Sequence, residues 1–113
     1  MTILINCSDS LLGKFIAGRL TIDGNVVTLV DSDEDMVKTL GMMKFNLVII
    51  VMDYRFGESD ILLKLASEGV RFFILSGLND EQSIYSAYEG GAVHYMSLPF
   101  DFSRFLLKVR ELV

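Results

Sequence analysis

The chain has 113 residues, of which 51% are hydrophobic and 22% are charged. This length fits one domain, and the apolar fraction is sufficient for a core, which excludes a disordered chain. The formal net charge of −5 argues against direct contact of this domain with nucleic acid, because neutralising phosphates requires a basic face.

The chain has one cysteine, Cys7, and one histidine, His94. A single cysteine excludes an internal disulfide, and one cysteine with one histidine cannot alone form a zinc site of three or four nitrogen and sulfur ligands. We expect no metal and no cofactor. The longest apolar run, residues 47–52, is far shorter than the roughly 20 residues of a membrane span. The first residues lack the basic region of a signal peptide, and we therefore expect a cytoplasmic protein without membrane contact.

The chain begins with a β-branched run, Thr2–Asn6, which predicts a first strand. An amphipathic helix is predicted next, with its apolar stripe at Leu12, Phe15, Ile16 and Leu20. Ser8 or Ser10 is expected to cap the start of this helix, and Gly24 to end it in the left-handed conformation.

A second strand is predicted at Val26–Val30. The segment 31–35 (DSDED) then combines an N-cap residue with acids, as is typical of a helix N-terminus. Leu47–Val51 is apolar at every position, which predicts a central parallel strand covered on both faces. The next helical stripe consists of Ile61, Leu62 and Leu65.

The second half of the chain continues the alternation. Arg71–Leu75 and Ala92–Met96 predict two more strands, and the helix between them is expected to stop at Gly90-Gly91. A last helical stripe consists of Phe102, Phe105, Leu106 and Val109. This order predicts an α/β fold in which a five-stranded parallel sheet is covered by helices on both faces. Ligands of such sheets lie beyond the carboxyl ends of the strands.

Four motifs carry a resemblance to a known family: Ile3-Leu4-Ile5, Asn46-Leu47-Val48-Ile49-Ile50, Ile74-Leu75-Ser76-Gly77 and the block Glu89-Gly90-Gly91-Ala92…Tyr95…Pro99-Phe100. The chain resembles a bacterial response-regulator receiver domain over essentially its whole length. The resemblance implies a flavodoxin-like (βα)5 fold over residues 1–113, with a cis Leu98-Pro99 bond. It also implies that the domain is part of a longer two-component regulator with a C-terminal effector domain.

In that family an acidic pair and an aspartate hold Mg²⁺, the aspartate accepts a phosphoryl group, and a lysine neutralises it. Neutral residues stand at the four matching positions of this chain: Cys7 and Ser8 for the pair, Val51 for the aspartate and Leu98 for the lysine. The switch-like positions Ser76, Tyr95 and Pro99 are kept. We therefore expect an atypical receiver whose site has lost the charge and the nucleophile that phosphorylation requires, and which is not an enzyme.

Two alternatives remain open at this stage. Asp53 lies two residues after Val51 and, together with Asp9, is a candidate for a non-standard phosphoryl acceptor, although a solvated or capping loop acid is the simpler interpretation. The vacated pocket is also a candidate site for a small ligand or for redox sensing through Cys7, for which the simpler interpretation is a small buried apolar residue.

The family's transcription factors dimerise through the fourth helix, fifth strand and fifth helix, and the matching face of this chain has fewer charges. The interface candidates are Ile84, Tyr88, Val93, His94, Arg104, Phe105 and Lys108. Aromatic residues and depleted charge are typical of interface cores, so we expect a phosphorylation-independent homodimer or contact with a partner protein or effector domain. The competing interpretation is that Ile84 or Tyr88 packs only against its own sheet.

Overall fold

A computed structural model describes all residues from 1 to 113. The strands are β1 (Thr2–Asn6), β2 (Val26–Val30), β3 (Leu47–Met52), β4 (Phe72–Ser76) and β5 (His94–Ser97). The helices are α1 (Ser10–Ile22), α2 (Asp33–Met42), α3 (Asp60–Ser67), α4 (Glu81–Glu89) and α5 (Phe102–Leu112). A short 3-10 turn, Phe56–Glu58, lies between β3 and α3. None of the helices has the length and the apolar character that crossing a membrane requires.

All neighbouring strands are parallel, in the order β2-β1-β3-β4-β5. The predicted α/β fold with a five-stranded parallel sheet is therefore confirmed. β3 lies at the centre, where Ile49 pairs with Ile5 of β1 and Ile50 pairs with Ile74 of β4. Because every strand runs the same way, the carboxyl ends of β1, β3 and β4 lie at one edge of the sheet.

Two apolar cores cover the two faces of the sheet, and the alternation of side chains along each strand divides residues between them. Ile3 and Ile5 of β1 belong to the core under α1 and α5, which we call the α1/α5 core. Leu4 belongs to the other core, which contains residues of α2, α3 and α4. β3 contributes to both cores in the same way and is buried at nearly every position, as its uniformly apolar sequence predicts.

Apart from one-residue shifts in the bounds of β3 and β4 and at the end of β5, local details differ from the sequence prediction at three places. Asp9, not Ser8 or Ser10, caps α1, and its Oδ1 accepts hydrogen bonds from the backbone N–H groups of Leu11 and Leu12. Phe15 is not buried but 55% exposed, and its ring lies edge-on against Phe102 of α5.

The third difference is the start of β5, which begins at His94 and not at Ala92. The preceding helix does end at the glycine pair, as predicted. Gly90 is the last residue with helical backbone angles, and Gly91 has a φ of 110°, which favours glycine. Gly24, with a φ of 95°, follows α1 in the same way.

The packing around Gly90 leaves no room for a side chain, and replacing this glycine tests the core under α2, α3 and α4. A Cβ atom there would lie 2.7 Å from Phe56 Cδ1 and 2.8 Å from Leu63 Cδ2, and the Phe56 ring is buried. We expect Gly90→Ala to lower the free energy of unfolding by about 1–3 kcal/mol through overpacking. The matched control is Gly18→Ala in α1, where a Cβ meets nothing within 4 Å, and which should raise stability by about 0.5–1 kcal/mol. Urea denaturation measures both, and equal effects of the two substitutions would contradict the packing.

Candidate functional site

A cavity of about 310 Å³ lies at the carboxyl edge of the sheet, and we call it the mouth cavity. It is lined by Asn6, Ser8, Asp31, Ser32, Asp33, Ile50, Val51, Met52, Asp53, Tyr54, Gly77 and Leu98. Three of the four positions at which this chain departs from the receiver motif, those of Ser8, Val51 and Leu98, therefore lie together at one place, as the topology of a parallel sheet predicts.

Val51 and Leu98 make this part of the mouth cavity apolar. Both side chains are half-buried and pack against the α1/α5 core. Neither offers an oxygen nucleophile or a positive charge. Ser8 is exposed at the rim of the cavity.

Asp33 is held at the mouth cavity by two side chains from neighbouring elements. Asn6 Nδ2 donates to Asp33 Oδ1 over 2.9 Å, and the Tyr54 hydroxyl donates to Asp33 Oδ2 over 2.8 Å. Burial of the phenol and the adjacent Asp33 carboxylate raise the pKa of Tyr54 to about 12. Both carboxylate oxygens therefore already accept hydrogen bonds within the protein.

The expectation that this edge has lost its charge needs correction, because Asp31, Asp33 and Asp53 all line the mouth cavity. The sequence assigned the acids at 31–35 to helix capping. Ser32 does cap α2, since its Oγ accepts from the N–H of Asp35, but Asp33 also contacts the cavity. Even so, no group of three or more Asp, Glu, His or Cys side chains is arranged to hold a metal ion.

Only one carboxylate of the alternative acceptor site lines the mouth cavity. Asp53 is exposed at the mouth cavity, whereas Asp9 caps α1 and does not line the cavity. Asp31 is the other exposed carboxylate of the lining.

Cys7 lies in the α1/α5 core and does not line the mouth cavity. Its side chain is 2% exposed, and its Sγ donates to the carbonyl oxygen of Asp9 over 3.3 Å. Burial raises the pKa of the Cys7 thiol, which lowers its thiolate content and therefore its reactivity. These features match a buried apolar residue.

The switch-like residues Ser76 and Tyr95 both bind Leu78 in the loop between β4 and α4. Ser76 is buried, and its Oγ accepts a hydrogen bond of 3.1 Å from the Leu78 N–H. The Tyr95 hydroxyl donates to the Leu78 carbonyl oxygen. Pro99 is exposed and follows a cis Leu98-Pro99 bond, as the resemblance implied. The side chains of Ser76 and Tyr95 are thus engaged within the fold.

Helix α4 is fastened to the segment that follows β3. Arg55 Nε donates to Ser83 Oγ over 3.3 Å, and the Gly57 N–H donates to Ser86 Oγ over 3.1 Å. The Arg55 guanidinium also lies 3.7 Å from the Asp80 carboxylate, which caps α4. The sequence offered no signal for these bonds, since they join residues roughly 25 to 30 positions apart.

The face formed by α4, β5 and α5, which we call the α4–β5–α5 face, contains most of the interface candidates but not all of them. Phe105 is fully buried in the α1/α5 core, where it contacts the ring of Phe73, so its inclusion among interface residues is wrong. Val93 and Ile84 are half-buried, and Val93 packs against the same core. Tyr85, which was not among the candidates, is 67% exposed.

The remaining candidates lie at the surface. Tyr88 is 43% exposed, and its hydroxyl accepts a hydrogen bond of 3.0 Å from the Tyr95 N–H on strand β5. Arg104 is exposed on α5, and Lys108 forms a 2.8 Å ion pair with Glu111.

His94 lies between α4 and α5. Its Nδ1 is 3.4 Å from the Tyr88 hydroxyl, and its ring lies edge-on to Phe73 with 5.2 Å between ring centroids. Burial and, secondarily, the positive charge of Lys108 lower the pKa of His94, while Glu111 acts in the opposite direction. The lowered pKa favours the neutral imidazole.

Comparison with known proteins finds the same fold at low sequence identity. No family model matches the chain, and no curated protein matches it. A two-component response regulator from Clostridium difficile superposes with a TM-score of 0.89 at 19% identity, covering 99% of this chain and 94% of that one. The receiver domain of Francisella response regulator 1452 gives 0.85 at 21% identity, covering 98% and 94%.

A third solved structure, described as an atypical orphan response regulator with a phosphorylation-independent regulatory mechanism, gives a TM-score of 0.84 at 18% identity, covering 98% of this chain and 93% of that one. The structural neighbours are thus response-regulator receiver domains, and atypical orphan ones are among them. The chain has the receiver fold.

The environment of His94 predicts a dependence of stability on pH. Because the pKa of His94 in the folded chain lies below the ordinary histidine value of about 6.5, the unfolded chain takes up the proton first. The contribution of His94 to the free energy of unfolding is therefore fully present above about pH 6.5 and is lost as the pH falls through the pKa of His94 in the folded chain. Urea denaturation at several pH values should show this loss in the natural chain and a flatter profile in His94→Gln. The assignment fails if the two profiles coincide.

Proposed function

Because the chain has the receiver fold, we propose that it is an atypical signalling module that acts by protein–protein contact without aspartyl phosphorylation. In this proposal it is a cytoplasmic, non-enzymatic regulatory domain of a transcriptional regulator that carries an effector domain C-terminal to it. The observation that carries the proposal is the apolar pair Val51 and Leu98 at the mouth cavity.

Phosphoryl transfer to a receiver requires an oxygen nucleophile and positive charge on the phosphoryl oxygens. Val51 and Leu98 supply neither at the positions where the resemblance implies them. Cys7 and Ser8 are neutral and are poor ligands for Mg²⁺, which prefers carboxylate oxygens. Asp33 is the best-held carboxylate of the mouth cavity, but both of its oxygens already accept bonds from Asn6 and Tyr54.

The loop between β4 and α4 gives a second line of support. Ser76 and Tyr95 already bind Leu78, and α4 is bonded to the segment after β3, so this region is held by the chain's own groups. A ligand shifts a conformational equilibrium only by binding one state more tightly than another. In the proposed function a contacting protein fulfils this role in place of a phosphoryl group. The atypical orphan neighbour, whose description names phosphorylation-independent regulation, is compatible with this mode of action.

For the contact surface we propose the α4–β5–α5 face, used in a homodimer. Its candidate residues are Ile84, Tyr88, Val93, His94, Arg104 and Lys108, and Tyr85 is added because of its exposure. Exposed aromatic residues near arginine are typical of interface cores. The lowered pKa of His94 also favours the neutral imidazole, whereas a positive charge would be costly to bury in an interface.

One observation favours a second candidate function. The Asp53 carboxylate is exposed and lines the mouth cavity, which Asp31 also lines. In this alternative Asp53 is the phosphoryl acceptor, although no set of carboxylates is arranged to hold the metal ion that such a transfer uses.

The first test is incubation with acetyl phosphate and Mg²⁺, followed by intact-mass measurement. We expect no added phosphoryl group, and no change in amide chemical shifts with beryllofluoride, because Val51 and Leu98 stand where the resemblance implies the aspartate and the lysine, and no set of carboxylates is arranged to hold a metal ion. Asp53→Asn is the matched control variant. A mass gain in the natural chain that disappears in Asp53→Asn would replace the proposal by the alternative, and a gain that persists would point to another acceptor and also refute it.

The second test concerns the dimer and uses light scattering after size-exclusion chromatography. We expect a dimer that Tyr85→Asp converts to a monomer, because a carboxylate would be buried in the interface core. Leu11→Asp is the matched control, since Leu11 is 83% exposed on α1, outside the α4–β5–α5 face, and it should leave the dimer intact. A monomeric natural chain at high concentration, or equal effects of the two substitutions, refutes this surface.

A further inference from the structure

A second cavity, larger than the mouth cavity, is a groove between α2 and α3, which we call the α2–α3 groove. Its volume is about 730 Å³, within the range of sites for small organic ligands. Val37 and Leu40 of α2 form one wall, and Ile61 and Leu65 of α3 form the other. Phe45 and Val48 also line it.

Apolar side chains are exposed in this groove. Val37 is 40% exposed, Ile61 is 48% exposed, and Met43 between α2 and β3 is also exposed. Contiguous exposed apolar surface is unfavourable in water and marks binding sites. The α2–α3 groove therefore offers apolar area that the fold leaves uncovered.

The charges at the groove select the ligand. Lys44 and Lys64 both line it and are exposed, and neither forms an ion pair within the chain. One carboxylate, Glu68, also lines the groove, so its three charged groups sum to +1 in a chain of net charge −5. This locally positive, apolar groove is complementary to a molecule with an apolar chain and an anionic head.

We propose that the α2–α3 groove binds a free single-chain anionic amphiphile, such as a long-chain carboxylate. The apolar chain lies along Val37, Leu40, Ile61 and Leu65, and the anionic head lies near Lys44 and Lys64. This proposal does not depend on the proposed function, since no residue of the groove lines the mouth cavity or lies on the α4–β5–α5 face.

Helix α2 connects this groove with the mouth cavity. Its C-terminal half provides Val37, Leu40 and Gly41 to the groove, whereas its first residue, Asp33, is bonded to Asn6 and Tyr54. A ligand that orders or displaces α2 would therefore change the hydrogen bond between Asp33 and Tyr54, because Asp33 belongs to the same helix. Binding in the groove should consequently be detectable at Tyr54.

The probe is laurate, titrated below its critical micelle concentration into the isotope-labelled chain and followed by amide chemical shifts. We expect saturable shifts in α2 and α3, with smaller shifts at Tyr54. Dodecyltrimethylammonium has the same chain and a cationic head, and it should bind at least about tenfold more weakly if the lysines select the head. Anionic vesicles of phosphatidylglycerol distinguish a free amphiphile from a membrane surface and should not bind the chain.

Variants locate the site. The double substitution Lys44→Glu and Lys64→Glu should weaken laurate binding about tenfold or more, and Ile61→Glu should weaken it by placing a carboxylate in the apolar wall. Lys38→Glu is the matched control, because Lys38 is exposed on α2 but does not line the groove. Circular dichroism verifies that each variant is folded. The proposal is overturned by absent or unsaturable laurate binding, by equal binding of the cationic probe, by binding to the vesicles alone, or by an effect of Lys38→Glu that matches the double substitution.

Discussion

The burial of β3 between two apolar cores is the constraint on which the rest of the structure depends. Its side chains alternate between the α1/α5 core and the core under α2, α3 and α4, and both cores exclude water from the strand. This arrangement fixes the register of the parallel sheet, because a shift by one residue would exchange the two sets of side chains. It also fixes where β3 ends, and therefore which side chains meet at the mouth cavity.

Continuation of that apolar pattern is what alters the chemistry of the mouth cavity. Val51 continues the apolar pattern nearly to the end of β3. Leu98 adds a further apolar group from the segment after β5. Of the polar groups around them, Asp33 is bonded to Asn6 and Tyr54, whereas Asp31 and Asp53 are exposed at the same cavity. The mouth cavity thus combines an apolar part at Val51 and Leu98 with carboxylates elsewhere in its lining.

Period and composition were sufficient to predict the order of the elements, the sheet and the strand positions to within one or two residues, because these depend on residues that are near in the sequence. They were insufficient where contacts are distant. The interpretation of Asp33 as a capping acid missed its bonds to Asn6 and Tyr54, which lie 27 and 21 positions away. The sequence alone does not decide whether Phe105 belongs to the core or to the surface, because its burial depends on contact with Phe73 of a distant strand. The α2–α3 groove likewise arises from the spacing of two helices, which no local pattern encodes.

The bond between the Tyr88 hydroxyl and the Tyr95 N–H has a consequence for solubility. β5 is one margin of the sheet, and outward N–H groups on such a strand invite a foreign strand to add to it. Here a phenol from α4 occupies that donor and its ring stands beside the strand. The side chain therefore occupies a donor that a foreign strand would need at this margin, and its ring obstructs the approach of such a strand.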